Sequence, residues 1–120
     1  MNNDLLTQKP TTMKEVFPKA AVLSMASLVE YAEGGVISKQ VMKNDVGNIT
    51  LFSFDKGQGL SEHAAPFDAF VQILEGVAEI RIGGQPFVVK ANESIIMPAS
   101  IPHALQAIEQ FKMLLTMIKG

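Results

Sequence analysis

From Val36 onward the chain is a succession of short apolar segments separated by turn-forming residues, and this punctuation narrows the folds open to it. The segments read VISKQVMK (36–43), ITLFSF (49–54), DAFVQIL (68–74), VAEIRI (77–82), PFVVK (86–90), IIMP (95–98), HALQAI (103–108) and FKMLLTMI (111–118). Between them stand NDVGN (44–48), Glu75-Gly76, GGQP (83–86), ANES (91–94) and ASIP (99–102), all rich in residues that form turns. DKGQGLSEHAAP (55–66) reads as a longer loop. In VAEIRI, Ala78, Ile80 and Ile82 share one face while Glu79 and Arg81 share the other. That period of two describes a strand with one dry and one wet side. Eight or nine such strands, spaced about 8–12 residues apart, predict an all-β sandwich or barrel. The first two segments read as a hairpin across NDVGN.

The N-terminal third is patterned differently. Residues 1–10 read as a loose terminus. Thr11 or Thr12 is placed to cap a short helical turn with Glu15 as its capping-box partner, and Pro18 limits that turn. AAVLS (20–24) reads as a short strand, and Ser24 as the cap of one or two helical turns stopped by Gly34-Gly35. The expected organisation is an extension over residues 1–20 and one barrel domain over 21–120. A chain of 120 residues buries roughly two thirds of its unfolded surface and needs no metal or disulfide to fold.

Composition excludes several functions. With no cysteine there is no thiol catalysis and no thiolate metal site. The net charge is −2 and Arg81 is the single arginine, which argues against nucleic-acid partners and phosphate clamps. The longest apolar run, MLLTMI, is far below the roughly twenty residues of a membrane helix. The start MNNDLLTQKP lacks a basic, then apolar, leader, so a cytoplasmic protein without membrane partners is expected.

The chain has two histidines, His63 and His103, each just beyond a turn-rich bend and beside an apolar strand. Ala69, Val71 and Ile73 share a strand face, as do His103, Leu105 and Ala107. One histidine at a strand mouth is an ordinary hydrogen-bonding residue, whereas two over apolar strands describe a pocket with polar groups at its opening. Phe52, Phe54, Phe67 and Phe70 read as packing residues, with Phe67 also placed to form a lid. Exposing Lys112 turns Phe111, Met113, Leu115 and Met117 to the core.

These segments resemble the two motifs of the cupins, small double-stranded β-helix or jelly-roll barrels. Gly57 stands six residues before His63, and Gly76 closes the first motif at the expected distance. In the second motif Pro98 and His103 keep the spacing, with Asn92 and Ser100 in glycine positions and Ala107 in place of an asparagine. The resemblance implies a metal held by three histidines and a glutamate. Here Ala65 replaces the second histidine and Ala69 the glutamate, so only His63 and His103 remain as metal ligands. Completed by water, substrate or a third side chain, they would hold a divalent transition metal: Zn, Ni, Cu, Mn or Fe. Glu62 and Asp68 are the nearest carboxylates, although alternation turns Asp68 away from the face of Ala69. The resemblance also implies a homodimer formed through edge strands, which residues 1–35 would help to cover. Three functions follow. The first is a small-molecule-binding module with His63 and His103 at the mouth and Val71, Ile73, Met97, Leu105 and Met113 as walls. The second is a dioxygenase, isomerase or decarboxylase with a two-histidine metal centre. The third is a structural partner with a filled interior.

Overall fold

A computed structural model of the chain describes residues 16–119. Among them are one 3₁₀ turn, Met25–Leu28, and nine strands: β1 Val36–Asn44, β2 Gly47–Phe54, β3 Gly59–His63, β4 Phe67–Glu75, β5 Val77–Ile82, β6 Gln85–Lys90, β7 Ser94–Met97, β8 His103–Ala107 and β9 Phe111–Lys119. They form a five-stranded sheet in the order β1-β2-β9-β4-β7 and a four-stranded sheet in the order β3-β8-β5-β6. Every pairing is antiparallel, and the two sheets close on each other as a jelly-roll barrel. No helix of the described residues is long and apolar enough to cross a membrane.

Local chemistry sets the turns. The β1–β2 hairpin closes as expected, with the Asn44 side-chain oxygen accepting from the backbone N–H of Val46 and of Gly47 at 2.9 and 3.1 Å. The Glu75-Gly76 bend does more than reverse the chain. It carries the chain from β4 in one sheet to β5 in the other, and Gly76 takes φ +85 there.

The alternation read from the sequence holds in the core strands. Ala69, Val71 and Ile73 of β4 and Ala78 and Ile80 of β5 all point inward and are buried. At one end of the barrel the interior is solid. Phe54 and Phe111 stack there with ring centroids 4.4 Å apart, and neither is exposed. Phe52 stacks in turn on Phe54 at 5.7 Å.

Several expectations are corrected. The segment 55–66 is not all loop: residues 59–63 form β3, because they find hydrogen-bonding partners on β8, far along the chain. AAVLS is not a strand, since no neighbouring strand pairs with it. The helical turn after Ser24 ends at Leu28, well before Gly34-Gly35, and Ser24 caps nothing with its side chain. Its carbonyl oxygen instead accepts from the N–H and hydroxyl of Ser27. Thr11, Thr12 and Glu15 lie outside the described residues. Phe70 is not a packing residue, because it faces outward and is 37% exposed.

Lys112 is buried rather than exposed, and the cause is the segment before β1. Residues 25–31 lie over the outer face of the five-stranded sheet, held by four polar side-chain contacts. Lys39 of β1 donates to Leu28 O at 2.8 Å, and Ser53 of β2 to Glu30 O at 2.7 Å. Lys112 of β9 donates to Ala26 O at 2.6 Å, and Tyr31 Oη to Glu75 Oε2 of β4 at 2.9 Å. Lys112 Nζ also lies 3.6 Å from Glu75 Oε1 and 5.0 Å from the centre of the Tyr31 ring. An ammonium out of water needs such partners. Burial, and then the bond to Glu75, push the Tyr31 hydroxyl well above the ordinary tyrosine range, so it stays a donor. Val29, 1% exposed, supplies the apolar part of this cover.

Candidate functional site

His103 is delivered to its position by a tightly held loop. Between β7 and β8 the chain runs through Pro98 and Pro102, which remove two backbone donors. Asp68 Oδ1 accepts from Ala99 N at 2.9 Å, Ala65 O from Ser100 N at 2.7 Å, and Pro102 O from Gly83 N at 2.8 Å. Asp68 is therefore engaged outside the interior, as its alternation required. β8 then places His103, Leu105 and Ala107 inward and buried.

His63 ends β3 directly opposite His103 in the β3–β8 register. The two rings, forty residues apart in sequence, lie edge to face with centroids 4.5 Å apart. Their environments differ: His103 is 6% exposed, whereas His63 is exposed. Each ring places Nδ1 against the backbone oxygen two residues before it, His63 on Ser61 at 3.0 Å and His103 on Ile101 at 3.2 Å. A carbonyl oxygen only accepts, so Nδ1 carries the proton in both rings. In the neutral ring that leaves a lone pair on Nε2.

Beneath the pair is a cavity of about 200 Å³. Its polar groups are His63 and His103, and its apolar walls include Met97, Leu105 and Met113. Val71 and Ile73 are not among its walls, which corrects that part of the reading. They share the inward face of β4 with Ala69, but lie further along the barrel, where the stacked phenylalanines leave no space. Ala69 sits at the cavity itself, with Phe67 and Ala65 near it. Four wall residues were not identified as such from sequence. Phe52, Leu115 and Met117 carried a signal, since each shares a strand face with a buried neighbour. Leu60 carried none, because its segment read as loop.

Burial lowers the pKa of His103 below its ordinary 6.5; the bond to Ile101 opposes this and His63 reinforces it. A folded-state value below the unfolded one makes this residue's contribution to stability complete above about pH 6.5. It is lost as pH falls through the lowered value, because the unfolded chain takes up the proton first. We therefore expect the melting temperature to drop on acidification from pH 7.5 to 5.5, and His103→Gln to flatten that drop. Calorimetry of both proteins across this range checks it, and equal slopes would contradict the burial argument.

The cupin domain family model matches residues 50–119. The chain belongs to the cupin family. A conserved protein of unknown function from Streptococcus pyogenes is 40% identical, with 88% of this chain and 93% of that one covered and a TM-score of 0.84. A cupin 2 conserved barrel domain protein from Leptotrichia buccalis is 44% identical over 78% of this chain but only 46% of its own, with a TM-score of 0.77. A cupin superfamily protein from Desulfitobacterium hafniense is 31% identical, covering 88% and 97% of the two chains, with a TM-score of 0.82. No curated protein matches the chain.

The cupin motifs acquire a physical meaning here. Asn92 and Ser100, which stand at motif glycine positions, keep left-handed backbone with φ +71 and +65. Asparagine adopts that region more readily than most residues, and serine is held there by its bond to Ala65. The cupin metal set does not fit. Ala65 and Ala69 present methyl groups, and among the described residues no third histidine, aspartate, glutamate or cysteine joins the pair.

Proposed function

We propose that this cupin binds a small, mainly apolar molecule in the cavity beneath His63 and His103. The observation that supports this is the cavity's lining: ten apolar side chains and two histidines around about 200 Å³. Binding sites commonly have this composition, with few polar groups fixing the orientation of an apolar body. A single observation favours the rival reading, a metal-dependent enzyme with a two-histidine centre. Both rings are oriented by a backbone acceptor on Nδ1, as in metal-ligating histidines. The incomplete donor set weighs against it.

A thermal-shift screen of a small-molecule library on untagged protein tests the proposal. Hits should raise the melting temperature by several degrees when present at about a hundred times their Kd. Ala69→Leu, which places three more carbons in the space, should abolish those shifts while the protein remains folded. Hits unaffected by the variant would move binding elsewhere on the surface. Metal analysis of the same preparation should give well under one equivalent. One equivalent, lost in both His63→Ala and His103→Ala, would favour the enzyme.

The homodimer is part of this reading. Its support is an outward row of cross-strand neighbours through all five strands: Ile96, Phe70, Thr116, Ile49 and Met42. Met42 and Ile96 are 57% and 63% exposed, and a row of this kind suits a second copy presenting the same surface. Sedimentation of the screened sample should give twice the chain's 13.0 kDa, and a species of single mass would remove this part.

A further inference from the structure

The cavity's chemistry narrows its ligand further, on the assumption that the binding reading above is right. His103 is 6% exposed, and its Nδ1 proton is already given to Ile101 O. Among the described residues nothing bonds its Nε2, and this buried ring lines a space large enough for a ligand. A buried polar atom without a partner is unfavourable, so an occupant that donates to it gains twice, in affinity and in orientation. Neutral His103 offers no donor to a carboxylate, because its one N–H is used. No lysine or arginine of the described residues lines the cavity, and the Lys119 ammonium lies 6.0 Å from the centre of the Phe67 ring in its wall.

The apolar walls are equally specific. Three of the chain's seven methionines, Met97, Met113 and Met117, line this cavity together with Phe52 and Phe67. Thioethers are polarisable and make favourable contacts with aromatic rings. An apolar cavity of about 150 Å³ accepts benzene. At about 200 Å³ this one has room for one ring and a substituent. We propose that the ligand is a single aromatic ring bearing a hydrogen-bond donor, a phenol in its simplest form, with the donor on His103 Nε2 and the ring among the three methionines.

Four probes of similar size test this on the full chain: p-cresol, toluene, benzoate and cyclohexanol, titrated by calorimetry. p-Cresol should bind best, with toluene at least about tenfold weaker because it leaves the acceptor unpaired. His103→Leu should bring p-cresol and toluene to near-equal affinity. Should that variant not fold, nitrogen NMR of wild-type protein supplies the readout: His103 Nε2 should shift on adding p-cresol and not on adding toluene. Equal binding of p-cresol and toluene would overturn the donor, tighter benzoate would overturn the neutral site, and tighter cyclohexanol would overturn the aromatic preference. Each of these leaves the binding reading standing. If neither the probes nor any library compound binds, both conclusions fall together.

Discussion

Gly76→Ala is expected to lower stability by about 3 kcal/mol or more and the melting temperature by about 10–15 °C. Two effects combine at this residue. Gly76 holds φ +85 at the corner where the chain leaves one sheet for the other, a conformation that strains any residue with a Cβ. The added methyl would also collide with the Gln110 carbonyl oxygen and come within 2.6 Å of Phe111 Cα. Both are backbone atoms of the strand start that carries Phe111, so relief would require β9 to move. Gly84→Ala separates the two effects. Gly84 has φ +83 but nothing within 4 Å of the added methyl, so it should cost only about 1 kcal/mol of backbone strain. Chemical denaturation of both variants checks the difference. Equal costs would show that β9 does not press on the corner.

Phe111→Ala should be as damaging, at about 3–5 kcal/mol, and should also change what the cavity accepts. Phe111 is fully buried and stacks on Phe54, which supports Phe52 in the cavity wall. These three rings close the solid end of the barrel. Removing the innermost leaves a void that close-packed neighbours fill only in part. The cavity then extends toward Val71 and Ile73, and compounds larger than a single ring should bind. The combined readout is a lower melting temperature in the free variant and a larger ligand-induced shift with two-ring compounds than with one-ring compounds. A destabilised variant that still prefers small compounds would show that the phenylalanine stack is not the floor.

The corner at Gly76 shows how far local patterning reaches. A Glu-Gly bend between two alternating segments was readable as a turn, since glycine there needs no other context. Its change of sheet was not, because which strands pair depends on contacts among residues far apart in sequence. β3 makes the same point more strongly: Gly59–His63 has turn-like composition and is a strand because β8 lies beside it. Lys112 looked exposed by alternation and is buried because residues 25–31 cover the outer face of its sheet.

For the site, residue identities along the chain were enough to single out His63 and His103 as a pair, to exclude the full cupin ligand set through Ala65 and Ala69, and to turn Leu105 and Met113 to an inward face. Alternation is a property of the extended backbone, so it is written locally and survives without knowledge of the fold. Depth along the barrel is not written that way. Val71 and Ile73 point inward as surely as Ala69 does, yet they meet stacked rings instead of open space. Packing between the two sheets set where the interior ends, and the long-range pairing of β3 with β8 set the 4.5 Å approach of the two imidazoles over what remains open.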